Sequence, residues 1–423
     1  MKLTEYKQIN EMMYSGTLPN GLSVFVVPKP GFHRKYAFFA TDYGGVDRRF
    51  KLENEWIDTP AGVAHFLEHK MFDTENGNAL EILSANGASP NAYTSTDITA
   101  YYFECIDMFD ENLETLLNFV SVPYFTRESV EKEQGIIEQE ILMVEDDPDF
   151  CLYYGLLKSL FKKNPVRDSV AGTVDSIKSI TSDTLYDCHK IFYAPSNMSL
   201  CIVGDVDPSM VFDIADKILP SEKGCVPLRD YGVPEALSPE ETFVSKSMEV
   251  SLPVFLAGCK LTPAKHGQTT LWHEILSAIS LEMLYGHSSP FYLRLYADGL
   301  INADFSASFD STAGVAYTMF GGETRDPMRA YQEVRNEAVK IVAKGPDEAL
   351  FNRIKKAAIG GHIRALNSFG VLATSIVEGH FRGFDPFEAP DLLLKMTTDD
   401  ISDFIRENIV PDNMAISIIN PLK

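Results

Sequence analysis

The 423-residue chain has few cysteines and no C-x-x-C pair: Cys105, Cys151, Cys188, Cys201, Cys225 and Cys259 are scattered. That spacing excludes a cysteine zinc site and is unlike a disulfide framework, and it suits reduced thiols in a cytoplasmic protein. No apolar run approaches the roughly 20 residues that cross a bilayer. The opening stretch, MKLTEYKQINEMMY, lacks the apolar core of a signal peptide, so no membrane association is expected. Basic residues are scarce as well. Thirty-seven Lys and Arg against 60 Asp and Glu leave a net charge of -23, which argues against nucleic acid or an anionic membrane as partner. The acid excess serves solubility; gathered in a chamber, it would favour basic peptides. No Gly-rich phosphate loop, serine nucleophile elbow or aromatic-basic stripe is present.

What remains is the composition of a folded protein, 45% hydrophobic and 23% charged, with length for two to four domains. The first 60 residues read as strands. Leu18-Pro19-Asn20-Gly21 is a turn signal before the apolar run Leu22 to Val27, and Tyr36 to Tyr43 is a second run ended by Gly44-Gly45. A helix near Asn78 to Asn86 stops at Gly87, and Asn91 to Glu104, rich in Thr, Tyr and Ile, reads as strand. Helices dominate from Asp110 to about Lys162. A further helix from Ser182 leads to Pro195 and the strand Met198 to Val203.

Prolines 220, 227, 234 and 239 then interrupt an acidic stretch, read as a linker over residues 219–245 between domains at 1–218 and 246–423. Beyond it the same grammar restarts: strand Leu252 to Leu261, helix Thr269 to Tyr285, strands from Ala303 to Gly322, then long helices to about Gly383. Thr181-Ser182-Asp183 and Pro195-Ser196-Asn197-Met198 recur as Thr397-Thr398-Asp399 and Pro411-Asp412-Asn413-Met414, always 216 residues on. The same offset lays Ala37 to Gly44 over Pro253 to Lys260, strand over strand. The expected fold class is therefore α+β: two tandem related domains, each an antiparallel-rich sheet with helices packed on it.

Chemistry concentrates in Ala61 to Phe72, AGVAHFLEHKMF. On a helix, His65, Glu68 and His69 share one face and Val63, Leu67 and Met71 the opposite one. Thr59-Pro60 offers a start, with Thr59 as N-cap and proline at the first helical position. Two imidazoles one turn apart make half of a zinc site, and the carboxylate beside them can act as base towards water at the metal. In a helix through Val130 to Val144, Glu133 and Glu140 fall in the middle of the apolar face that carries Val130, Ile136, Ile137, Ile141 and Val144. A carboxylate on a buried face needs a cation or donors. Glu140 fits as a third zinc ligand with one position left for water, and Glu133 as the group that orients a histidine through its other ring nitrogen. A buried pair with Arg or Lys would satisfy them equally.

His65-Phe66-Leu67-Glu68-His69 follows the H-x-x-E-H order. In this the chain resembles the pitrilysin/insulinase family of zinc peptidases, the inverzincins, over nearly its whole length. More closely it resembles the zinc-bearing member of bacterial two-subunit peptidases of that family. Glu133 and Glu140 match the family's paired downstream glutamates, across a gap slightly shorter than usual that reads as a loop deletion. The resemblance implies one Zn²⁺ per chain held by His65, His69 and Glu140, with Glu68 as base and Glu133 behind the site. It implies that Asn91-Ala92 lies on an edge strand that pairs with substrate backbone. The family's second domain usually offers an Arg and, seven residues on, a Tyr; Arg294 fits the first position, or is an ordinary surface arginine, and the second is Ile301.

The implied activity is that of a zinc-dependent endopeptidase acting on short or unfolded peptides. The missing tyrosine favours a heterodimer whose related subunit supplies an Arg/Tyr pair, over a homodimer. The rival reading is a catalytically silent structural or assembly subunit. A metal-dependent hydrolase acting on another bond is a third.

Overall fold

Residues 36–41 of the strand Lys35–Thr41 are all buried. A strand covered on both faces lies inside a sheet, and this one pairs with Met198–Gly204 on one side and Thr99–Cys105 on the other. The computed structural model describes residues 1–52, 54–312 and 314–422. Seven strands form the first sheet, in the order Lys2–Tyr6, Glu11–Thr17, Ser23–Pro28, Met198–Gly204, Lys35–Thr41, Thr99–Cys105 and Ser89–Thr94. Only Ser23–Pro28 and Met198–Gly204 pair in parallel. Alternate side chains fill different cores. Ala37, Phe39, Tyr101, Phe103, Leu200 and Ile202 pack with Phe66 and Leu67. Tyr36, Phe38, Ala40, Cys201 and Val203 pack with Phe369, Leu372, Ala373 and Ile376 on the other face.

The second sheet has five strands in the order Phe243–Met248, Met414–Pro421, Val254–Leu261, Val315–Glu323 and Ser306–Thr312. This repeats the last five strands of the first sheet, including the parallel pair, here Phe243–Met248 with Met414–Pro421. The helices Ser182–Phe192 and Thr398–Asn408 correspond, and Thr181 and Thr397 cap them in the same way, accepting from Thr184 N–H and Asp400 N–H. The fold is α+β with two tandem related domains. Its strands do not keep the 216-residue offset throughout. Met198 faces Thr41 whereas Met414 faces Cys259, so the strand Val254–Leu261 lies two residues later than that offset places it. Loops change length freely, whereas ladder pairs cannot. The corresponding side chains make corresponding contacts: Thr41 Oγ1 donates to the Phe192 carbonyl and Cys259 Sγ to that of Asn408.

Contacts group the chain into two units. One comprises Met1–Ile141, Ser169–Tyr231 and Ile363–Phe387; the other comprises Leu142–Asp168, Gly232–His362 and Glu388–Lys423. Each unit thus takes a helix from the other half of the sequence. Pro148–Leu160 packs on the second sheet and Phe369–Arg382 on the first. No helix among the described residues is long and apolar enough to cross a membrane.

Three local expectations are corrected. Asn91 to Glu104 is not one strand but a hairpin, Ser89–Thr94 and Thr99–Cys105. It is closed by Ser95 N–H donating to the Ile98 carbonyl (2.8 Å), since Ser95-Thr96-Asp97 is turn chemistry. Ile136 is 48% exposed; the buried face of the helix Arg127–Glu145 is narrower and carries Val130, Ile137 and Ile141. Thr59 does not cap the histidine helix, because its N–H and Oγ1 both donate to the Arg48 carbonyl and close the Arg49–Leu52/Glu55–Asp58 hairpin. The helix begins instead at Val63, after Gly62 with φ 97°.

Gly62 is required there. A Cβ would stand 2.6 Å from the Ala171 carbonyl oxygen, in a backbone conformation that side chains disfavour. Gly62→Ala is expected to cost about 1–3 kcal/mol. Gly360→Ala, in an open position of the helix Glu348–Ala365, should be neutral or stabilising. Urea unfolding of the two variants checks the contrast.

Candidate metal centre

The helix Val63–Met71 buries Val63, Ala64, Phe66, Leu67, Lys70 and Met71 against the sheet and its neighbours. That leaves His65, Glu68 and His69 on the remaining face, half-buried. The helix Arg127–Glu145 brings two carboxylates to that face. Glu140 Oε1 stands 3.5 Å from His65 Nε2, and its Oε2 3.7 Å from His69 Nε2. Glu133 Oε1 is 3.0 Å from His69 Nδ1. Among the described residues, His65, His69 and Glu140 are the one group of three or more His, Cys, Asp or Glu side chains with ligand atoms all within 4.8 Å.

The donor set fits zinc. Three atoms bound tetrahedrally at about 2.0–2.1 Å lie about 3.4 Å from one another, close to these spacings, whereas hydrogen bonds would be shorter. Burial pushes His65 down to about 4, with His69 adding to the effect, so its imidazole is neutral and its lone pair available. Burial works against the charged form of His69 too, but the hydrogen bond to Glu133 and the Glu68, Glu133 and Glu140 carboxylates outweigh it and raise its pKa. Nδ1–H donating to Glu133 leaves Nε2 facing Glu140, the tautomer a metal requires. The buried His65 Nδ1 has no hydrogen-bond partner among the described residues. Burial raises the Glu68 carboxyl, countered in part by Thr94, whose Oγ1 donates to Glu68 Oε2 at 2.8 Å.

Residues 57–174, which contain all of these groups, match the family described as Insulinase (Peptidase family M16). Residues 179–358 match the description Peptidase M16 inactive domain. A Bacillus subtilis protein named "Uncharacterized zinc protease YmfH" is 37% identical across 100% of this chain and 99% of its own. The chain belongs to the M16 peptidase family. A crystal structure from Alicyclobacillus acidocaldarius, described as an M16-like peptidase, superposes with TM-score 0.93 at 33% identity, over 97% of this chain and 99% of that one. The periplasmic protease PqqL of Escherichia coli shares the fold at TM-score 0.74 and 18% identity; 99% of this chain covers 48% of PqqL.

Asn91 and Ala92 lie on Ser89–Thr94, the edge strand of the first sheet, with the histidine helix packed beside it. Arg294 is in the other unit, on the helix Pro290–Ala297, where it pairs with Glu333 at 2.9 Å; Ile301 is buried. Two neighbours of the cluster are absent from the sequence reading. Thr94 lies three residues beyond Asn91, with nothing in its surroundings to distinguish it. Lys70 is 1% exposed and ion-paired with Asp73 and with Glu133 Oε2 (4.0 Å). Its signal was present: a lysine at i+4 from Phe66 and i+3 from Leu67, on the face that must be buried.

The centre should bind one zinc per chain. Glu133→Gln should leave the fold intact and weaken zinc by roughly 10–100-fold, read by competition with a chromophoric chelator. Wild-type affinity in that variant would remove Glu133 from the site.

Proposed function

We propose that the chain is a zinc-dependent endopeptidase that cleaves short or unfolded peptides. The observation that carries this reading is the third carboxylate. Glu68 shares a helix face with the two histidines and is not in the ligand group, with one oxygen held by Thr94 and the other left for a proton. Zinc, when bound, would supply a Lewis acid that polarises the peptide carbonyl and acidifies water.

Glu68 takes the proton of the attacking water and returns it to the leaving amine. Its raised pKa suits both halves of that transfer, because a base nearer the working pH gives the proton back more readily. Thr94 keeps the carboxylate from rotating away. Among the described residues the edge strand Ser89–Thr94 pairs with no strand but Thr99–Cys105, so an extended peptide can pair along its outer side, where the Ala92 N–H is held only by its neighbour Asn91 Oδ1 at 2.8 Å. Strand addition selects unfolded substrates, since a folded domain has already paired its backbone.

Glu68→Gln should retain zinc and fold and lose roughly 10²–10⁴-fold in cleavage of a quenched fluorescent peptide. Undiminished cleavage would remove Glu68 as base. Absence of cleavage by wild-type, zinc-loaded protein with every partner present would favour the silent-subunit reading.

The partner is a related subunit that supplies an Arg and a Tyr to the substrate. Ile301 is buried and Arg294 is tied to Glu333, and PqqL carries about twice this chain's length in one polypeptide. A single chain preparation should therefore cleave slowly and accelerate at least tenfold with such a subunit, on the order of one lost binding contact. Full activity of this chain by itself would refute the heterodimer. The six free cysteines support a reducing, cytoplasmic compartment.

A further inference from the structure

The buried residues of the histidine helix are Val63, Ala64, Phe66, Leu67, Lys70 and Met71. Five of these are apolar, as helix packing on a sheet demands. The sixth is a lysine, 1% exposed. A buried ammonium is costly unless it is paired, so its partners say what it is for. One is Asp73, three residues on; the other is Glu133 Oε2 at 4.0 Å. Glu133 Oε1 is meanwhile 3.0 Å from His69 Nδ1.

We propose that Lys70 is a positioning residue for the metal: it pins Glu133, and through Glu133 it sets the His69 imidazole so that Nε2 faces Glu140. The proposal rests on the metal centre described above. Glu133 has two oxygens and two partners, a cation at one and the imidazole N–H at the other. Its carboxylate cannot turn without giving up one of them. At 4.0 Å the Lys70 contact is an ion pair and not a hydrogen bond, and burial leaves little water or salt to screen it. Lys70 also meets a need that exists before any metal binds. Glu68, Glu133 and Glu140 crowd one small region, and repulsion among them would turn Glu133 away from His69 if no cation stood behind it.

Zinc affinity measured by chelator competition on wild type, Lys70→Met, Glu133→Gln and the double variant tests this. Lys70→Met should weaken zinc roughly tenfold in the wild-type background and cause no further loss in the Glu133→Gln background. In metal-free protein with ¹⁵N-labelled histidine, the His69 signal of Lys70→Met should shift away from the Nδ1–H tautomer, which a packing defect elsewhere would not produce. Affinity equal to or above wild type, or an equal loss in both backgrounds, would overturn the proposal. If Lys70→Met does not fold, Lys70→Met/Asp73→Asn removes the carboxylate left unpaired and carries the same comparison. Zinc binding in wild type that survives His65→Ala would instead sink the metal centre itself, and so separates the two claims.

Discussion

Glu140 facing two imidazole nitrogens across 3.5 and 3.7 Å is the interaction on which the proposed chemistry of this chain depends. It joins two helices that are distant in sequence, and its spacing is too wide for hydrogen bonds and suited to a shared cation. The surrounding groups make sense around it. Burial keeps His65 neutral, Glu133 selects the His69 tautomer, and Thr94 ties Glu68 to the edge strand. Together they leave three potential ligand atoms converging and one oxygen of the Glu68 carboxylate not held by Thr94.

That arrangement sits in one of two copies of a common sheet. The five-strand order with its single parallel pair occurs twice, and even the side-chain contacts from Thr41 and Cys259 to the ends of their helices correspond. The second copy therefore keeps what the sheet needs. In it the helix Gln268–Tyr285 packs on the edge strand Ser306–Thr312, as the histidine helix packs on Ser89–Thr94. Its Leu281, Leu284 and Tyr285 are buried. One copy is spared the cost of gathering carboxylates and imidazoles at a sheet edge; the other carries that cost, and with it the proposed chemistry.

The sequence by itself determined a good deal of this. The H-x-x-E-H spacing put two imidazoles and a carboxylate on one helix face, because 3.6 residues per turn admits little else, and the heptad spacing of Glu133 and Glu140 put both on one side of a second helix. Repeated turn and cap residues disclosed the duplication for the same reason: local geometry is written in local residue types. Only the tertiary structure decided matters that depend on long-range contact. Thr59 was spent on Arg48 and not on a cap, Ile136 met solvent, and the strand Val254–Leu261 fell two residues later than the 216-residue offset lays it. The pairing of Lys70 with Glu133 belongs to this class. A lysine on an apolar face announces that something must neutralise it; Asp73 stands three residues on, but the second carboxylate is brought up by packing between segments more than sixty residues apart.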